Sequence, residues 1–274
     1  MYTILGTPKM IKWLDDNLKK YEEYNSNEYV VKSYSGKTID GGSFCFKLYN
    51  SNLITINGSL KDRMYKALFL ECGEENYTGC DEVGVGDFFG PTVYVSVTLT
   101  SKAINFLADK NLPIRDSKKL TDQEIIDIYK IIIGNVDFSQ QIVFDSEIDS
   151  NLNSIAQKSF YHNENVKGKD NVIIDLFTTE KSFYKYTNDL NLKWGENLIL
   201  QTKADSIYMS VALASIIARA LFLIEMDKLN KKYQMIFPFG AGNVLPTARE
   251  FVSKYSKDEL ATFCKITFKT FDEI

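Results

Sequence analysis

The chain has 274 residues, 45% hydrophobic and 25% charged, an ordinary globular composition with room for one large domain or a medium one with a small companion. No apolar run reaches the roughly 20 residues of a membrane span, and the N-terminus lacks a basic segment leading into an apolar core, so a soluble, cytoplasmic protein is expected. The net charge of −4 argues against a general nucleic-acid binder, but residues 1–66 carry 10 Lys and Arg against 7 Asp and Glu, and the remainder 22 against 29. A mildly basic front joined to an acidic back suits a binding module attached to a carboxylate enzyme. Cys45, Cys72, Cys80 and Cys264 show no CxxC pairing and no zinc spacing, and read as reduced cytosolic thiols.

In chain order, residues 9–24 have helical spacing, with Met10, Ile11, Leu14 and Leu18 near one face. Polar and Gly-rich turns at 34–43 precede short strands at Phe44–Phe46 and Leu53–Ile56. Residues 1–62 therefore read as a small α+β domain, with a linker over 60–66 and entry into a second domain by 76. That second domain spans 77–274. Val93, Val95, Val97 and Leu99 alternate with Thr92, Tyr94, Ser96 and Thr98, predicting a half-buried antiparallel strand paired back onto one ending at Asp81. Thr121 and Glu124 form a capping box for a helix to about 132. Strands are predicted at Gln141–Phe144, Val172–Phe177 and Asn197–Leu200, the last two buried on both faces, with a helix at 151–164 between. A long helix over 206–230 is apolar nearly all round at its start and should pack centrally. The expected fold class is α/β, a mixed sheet flanked by helices behind a small α+β domain.

The stretch from Asp81 to Pro91 carries the chemistry. Adjacent carboxylates, Asp81 and Glu82, repel unless a cation lies between them, and oxygen ligands without His or Cys suit Mg²⁺ or Mn²⁺. Gly84 and Gly86 permit close approach of a backbone or a phosphate. Neighbouring side chains on a regular strand face opposite ways, so a shared site requires the strand to end or bulge there. The Gly84-Val85-Gly86 segment is not a dinucleotide fingerprint, because a strand follows it rather than a helix. Asp175 lies inside an apolar strand, where a carboxylate is costly unless paired or metal-bound; a salt bridge there, or an earlier strand end, explains it as well. Asp205 on pattern alone is a helix N-cap or first-turn acid, and only the company of Asp81, Glu82 and Asp175 makes it a ligand candidate for a two-metal site. The loop Arg115-Asp116-Ser117-Lys118-Lys119-Leu120 offers groups for phosphates, or is simply a solvated turn. His162, the only histidine, reads as a helix-surface residue. No serine or cysteine has a matching base, so no nucleophilic triad is indicated.

In order, Asp81-Glu82-Val83-Gly84-x-Gly86-Asp87-Phe88-Phe89-Gly90-Pro91, Asp116-Ser117-Lys118-Lys119-Leu120, Ile173–Phe177, Thr202–Ser206, Ala214–Arg219 and Phe237–Gly242 resemble the motifs of the type 3 bacterial ribonucleases H, the ribonuclease HIII family. Val85 between the glycines, where type 2 enzymes usually have Arg, and the front domain favour type 3; Asp205 as fourth acid points toward type 2. The resemblance implies an RNase H-like fold and hydrolysis of the RNA strand of RNA/DNA hybrids, leaving 5′-phosphate and 3′-hydroxyl ends. It implies two Mg²⁺ or Mn²⁺ ions on Asp81, Glu82, Asp175 and Asp205, and substrate contacts from Gly84, Val85, Gly86, Ser117, Lys118 and Lys119. The front domain, like half of a TATA-box-binding protein, would grip the hybrid, and a monomer suffices. A type 2 enzyme cutting at single embedded ribonucleotides, a non-catalytic hybrid-binding protein, and a different two-metal nuclease acting on DNA are the competing readings.

Overall fold

Alternating apolar and polar side chains give the front of the chain a one-sided sheet. The computed structural model describes residues 1–114, 117–149 and 151–274. Its first elements are β1 (Tyr2–Leu5), α1 (Pro8–Leu18), β2 (Glu22–Glu23), β3 (Val30–Lys37), β4 (Ser43–Tyr49), β5 (Leu53–Asn57) and α2 (Lys61–Phe69). The strands form an antiparallel sheet in the order β1-β5-β4-β3-β2. Phe44, Phe46 and Leu48 of β4 turn to the core while their neighbours are half-buried. Helix α1 opens on Thr7, whose hydroxyl accepts from the Met10 N–H at 3.3 Å. It ends before the expected residue 24, because Lys19–Tyr21 tighten into a 3₁₀ turn and Glu22–Glu23 pair with β3.

The expected linker at 60–66 is instead the start of α2, and Tyr65, Leu68 and Phe69 of that helix are buried. The Tyr65 hydroxyl donates to the Leu112 carbonyl at 2.5 Å, and the Leu5 N–H to the Ile114 carbonyl at 2.9 Å. One hydrophobic cluster accordingly runs from Ile4 and Phe46 through Phe69 to Leu107 and Val97. The front sheet is joined to the rest by packing, not by a tether.

Beyond it come β6 (Tyr77–Val83), β7 (Thr92–Thr98), α3 (Ser101–Lys110), α4 (Asp122–Ile132), β8 (Asp137–Val143), α5 (Ser154–Asn165), β9 (Asn171–Asp175), α6 (Glu180–Asp189), β10 (Asn197–Gln201), α7 (Met209–Tyr233), α8 (Leu245–Lys254), α9 (Lys257–Ala261) and α10 (Lys269–Asp272). The second sheet runs β10-β9-β6-β7-β8, with β10, β9 and β6 parallel and β7 and β8 antiparallel. This is the expected mixed α/β sheet flanked by helices. The capping box of α4 forms as read, with Thr121 and Glu124 satisfying each other's backbone N–H.

Several strands differ from expectation, among them β9, which stops at Asp175 rather than Phe177. β7 is buried on both faces, because α5 covers Tyr94 and Ser96 on the side opposite α7. β8 begins four residues early, at Asp137. β10 is an edge strand, half-buried rather than enclosed.

Helix α7 is the core element. Eighteen of its residues reach a mean hydropathy of 1.8, long and apolar enough to cross a membrane contrary to the sequence expectation, yet 78% of that stretch is buried within the fold. Gly79 lets it approach β6, since a Cβ there would stand 2.4 Å from the Val211 nitrogen. Glu74 caps it from outside the helix. Its carboxylate accepts from the backbone N–H of Met209 at 2.5 Å and of Ser210 at 2.8 Å, satisfying two of the orphan donors at the helix start.

Candidate active site

The pleat and register of the second sheet decide which acids meet. β6 pairs in parallel with β9, matching Gly79 to Ile173 and Cys80 to Ile174. One residue further on, Asp81 stands beside Asp175, and side chains two apart share a face. That face is covered by α7: Ile173 packs with Val211, and Gly79 abuts Ser210. Cys80 and Ile174 turn the other way, into a cluster with Val166 and Phe183. Asp81 and Asp175 therefore lie together on the α7 face, at the C-terminal edge of parallel strands, where open α/β sheets bind their ligands.

Asp205 joins them by a different route. It is not an N-cap or first-turn acid of the long helix, which starts only at Met209. It occupies a separate 3₁₀ turn, Ala204–Ser206, set up by Lys203 in the left-handed region with φ of 55°. The Ala204 N–H donates to Asp175 Oδ1 at 3.1 Å, tying this turn to the end of β9. Burial and the charges of Asp205 and Glu82 push the Asp175 carboxyl above its usual range. Asp81 is raised further, by burial and by the adjacent Glu82 charge.

Glu82 breaks the expected pattern. β6 neither ends nor bulges at Asp81, but continues in unbroken register with β7, Asp81 opposite Val95 and Glu82 opposite Tyr94. Glu82 therefore points to the α5 face. There its Oε1 meets Lys158 Nζ at 2.6 Å and its Oε2 meets His162 Nε2 at 2.7 Å. Burial alone would raise the Glu82 carboxyl, but His162 and Lys158 outweigh it and hold it well below the usual carboxylate range. His162 is fully buried, so the expectation of a surface residue is corrected. Among the described residues no three His, Cys, Asp or Glu side chains are drawn together closely enough to hold an ion as they stand.

After Val83 the chain turns at Gly84, whose φ of 94° and 2.2 Å separation between a notional Cβ and the Pro91 carbonyl exclude any side chain. Gly86 has no atom within 4 Å of a notional Cβ. Its openness faces a cleft of about 530 Å³ lined by Asp81, Glu82, Gly84–Gly86, Ser117, Lys118, Ser215 and Arg219. Ser117 and Ser215 share a hydrogen bond of 2.7 Å, and Ser215 also binds Asp81. Arg219, one turn along α7, is held by Asp122 at 3.1 Å and lies 4.8 Å from the Phe239 ring. A second hollow of about 400 Å³ is lined by Lys118, Lys119, Lys203, Asp205 and Ser206, and by Ser51 from the front sheet. Arg115 and Asp116 lie outside the described residues.

Site-lining residues given no role from sequence are Lys158, His162, Lys203, Ser215 and Arg219. Lys158 and His162, like Ser215 and Arg219, are four apart on a helix and so share a face. That spacing was visible, but nothing in it says what the face meets. What the arrangement offers chemically is hard oxygen donors at a sheet edge, with cations and small residues beside them. In residue type this fits a hard divalent cation and a phosphate.

Comparisons with known proteins show the family. The family model described as Ribonuclease HII matches residues 78–271. A ribonuclease HIII of Bacillus cereus is 35% identical over 210 residues, 72% of this chain and 67% of that protein. One of Lactococcus lactis is 29% identical over 273 residues, 93% of this chain and 91% of its own. Among solved structures, Bst-RNase HIII in complex with Mn²⁺ matches with a TM-score of 0.69 at 24% identity, covering 99% of this chain and 97% of that one. The ribonuclease H2 of Pyrococcus horikoshii OT3 matches 72% of this chain and 95% of its own, with a TM-score of 0.60 at 25% identity.

Proposed function

The chain belongs to the ribonuclease HII family, with the ribonucleases HIII as its relatives, and from that premise we propose that it is an endonuclease cutting the RNA strand of RNA/DNA hybrids at the C-terminal edge of its second sheet. The observation that carries the assignment is the parallel register of β6 and β9, which stands Asp81 beside Asp175, with the Asp205 turn bonded to Asp175. These three aspartates, with Glu82, would hold two divalent cations, Mg²⁺ or Mn²⁺. Ions held there would supply a lowered water pKa and charge stabilisation at the leaving 3′-oxygen, which would give 5′-phosphate and 3′-hydroxyl ends.

The chain's own residues supply the rest. Gly84 and Gly86 keep backbone amides clear of side chains, so that they can approach the ribose 2′-hydroxyl, the group that distinguishes RNA from DNA. Ser117, Lys118, Lys119 and Arg219 line the cleft walls and would position phosphates without reading sequence. Ser215 links Asp81 to Ser117, so the acid site and the phosphate wall are one hydrogen-bonded unit. The front sheet reaches the second hollow through Ser51, which supports its role in gripping the hybrid.

The test uses end-labelled RNA/DNA hybrid, DNA with one embedded ribonucleotide, and all-DNA duplexes, each with Mg²⁺, Mn²⁺ or chelator. Metal-dependent cutting of the hybrid that disappears in Asp81→Asn, with little cutting at the single ribonucleotide, is expected. Cutting favoured at the single ribonucleotide would give the type 2 reaction instead. An intact hybrid under all conditions would leave a binding protein.

A further inference from the structure

Glu82 is the one acid of the site that the pleat carries to the wrong face, and α5 meets it there with two built partners. Lys158 and His162 lie one helical turn apart and each takes one oxygen of the carboxylate, at 2.6 and 2.7 Å. His162 cannot swing away. Its ring is fully buried, edge-on to Tyr94 at 5.3 Å and stacked on Phe177 at 5.9 Å. Its Nδ1 has no hydrogen-bond partner among the described residues, so Nε2 is the nitrogen that carries a proton to Glu82. Lys158 is held differently. Its ammonium rests 5.0 Å above the Phe177 ring at the end of a flexible stem, and its side chain keeps 17% exposure beside a hollow lined by Val85, Gln157 and Lys265. It has somewhere to go.

We propose that Lys158 is an internal counter-cation that holds Oε1 of Glu82 in place of a divalent ion and must release it when the ion binds, while His162 anchors Oε2 so that only one oxygen changes partner. This rests on the reading of Glu82 as a cation ligand. The two residues touch one carboxylate yet act with opposite sign on metal affinity. A lysine competing with the metal weakens binding, whereas a histidine orienting a ligand strengthens it. Merely structural support would make both substitutions act alike.

The experiment measures Mn²⁺ affinity of the full chain by loss of the free-Mn²⁺ electron paramagnetic resonance signal, without substrate or turnover. Lys158→Met keeps the stem over Phe177 and removes the charge; it is expected to tighten Mn²⁺ binding about three- to tenfold. Lys158→Arg, which retains the cation, is expected to bind more weakly than Lys158→Met. His162→Asn is expected to weaken binding about tenfold. In a Glu82→Gln background, where neither partner has a carboxylate to hold, Lys158→Met is expected to have no effect. Circular dichroism melts confirm that each variant is folded. Mn²⁺ binding that is unchanged or weakened by Lys158→Met overturns the counter-cation role alone, as does a Lys158→Met effect that survives in Glu82→Gln. Failure of the unaltered chain to bind Mn²⁺ overturns the metal-site reading itself, and this inference with it.

Discussion

Gly84 and Gly86, two positions apart, meet different surroundings: one is hemmed in by the fold and the other is open. Gly84 is required by its own backbone: a left-handed φ and a carbonyl 2.2 Å from any Cβ make Gly84→Ala costly by at least about 2 kcal/mol. Gly86 meets nothing, so Gly86→Ala is expected to melt within about 0.5 kcal/mol of the parent and yet to raise KM for hybrid, because the added methyl enters the cleft. Thermal melts beside steady-state cleavage check both, and equal damage from the two changes would refute the distinction. The sequence placed both glycines after the acids, but could not tell which one the fold consumes. Asp87 is a comparable case: it accepts from the Gly240 N–H at 2.6 Å and so fastens this turn to the 237–242 segment.

At the scale of elements, α7 organises the site and Glu74 organises α7. Burial takes the Glu74 carboxyl up to about 7, against the hydrogen bonds from Ser210 and Met209. The folded state thus holds the Glu74 proton more tightly than the unfolded state does. Its contribution to stability is full below the unfolded pKa of roughly 4.5 and is lost as pH rises through about 7. Glu74→Gln removes this titration, so the gap in melting temperature between the parent and the variant is expected to shift in the variant's favour from pH 5 to pH 8. A gap that stays constant across that range would show that Glu74 does not titrate there. Glu74→Ala, which strips both backbone donors of their acceptor, is expected to cost about 2 kcal/mol near pH 5 and less at pH 8. The same element explains why Asp205 was misplaced by pattern. A helix start, judged by apolar spacing, is uncertain by several residues, and here a 3₁₀ turn intervenes between strand and helix.

For the whole molecule, the net charge of −4 sits badly with a polyanionic substrate until the cations are placed in space. Lys118, Lys119, Lys203 and Arg219 all line the two hollows beside the aspartates. Hybrid affinity is therefore expected to fall steeply with salt, and Lys118→Ala to reduce the slope of log K against log salt by about 1. A slope unchanged in that variant would remove Lys118 from the phosphate wall. The front sheet shares the hydrophobic cluster of the second through α2. Cutting the chain before residue 60 is accordingly expected to lower the melting temperature as well as to weaken binding, unlike the removal of a tethered module.

Local pattern was enough to identify the mixed α/β class, the capping box of α4, the strand that carries Asp175, though not its end, and the run of acids with their glycines, because each is written in the periodicity or chemistry of neighbouring residues. It was not enough to say which acids share a face. That Asp81 and Asp175 stand together, that Asp205 arrives on its own turn, and that Glu82 faces Lys158 and a buried His162 are consequences of strand register and of which helix covers which side. These rest on contacts such as Ala204–Asp175 and His162–Glu82, between residues 29 and 80 apart, and a pleated strand read alone shows that neighbours diverge without showing what each one meets.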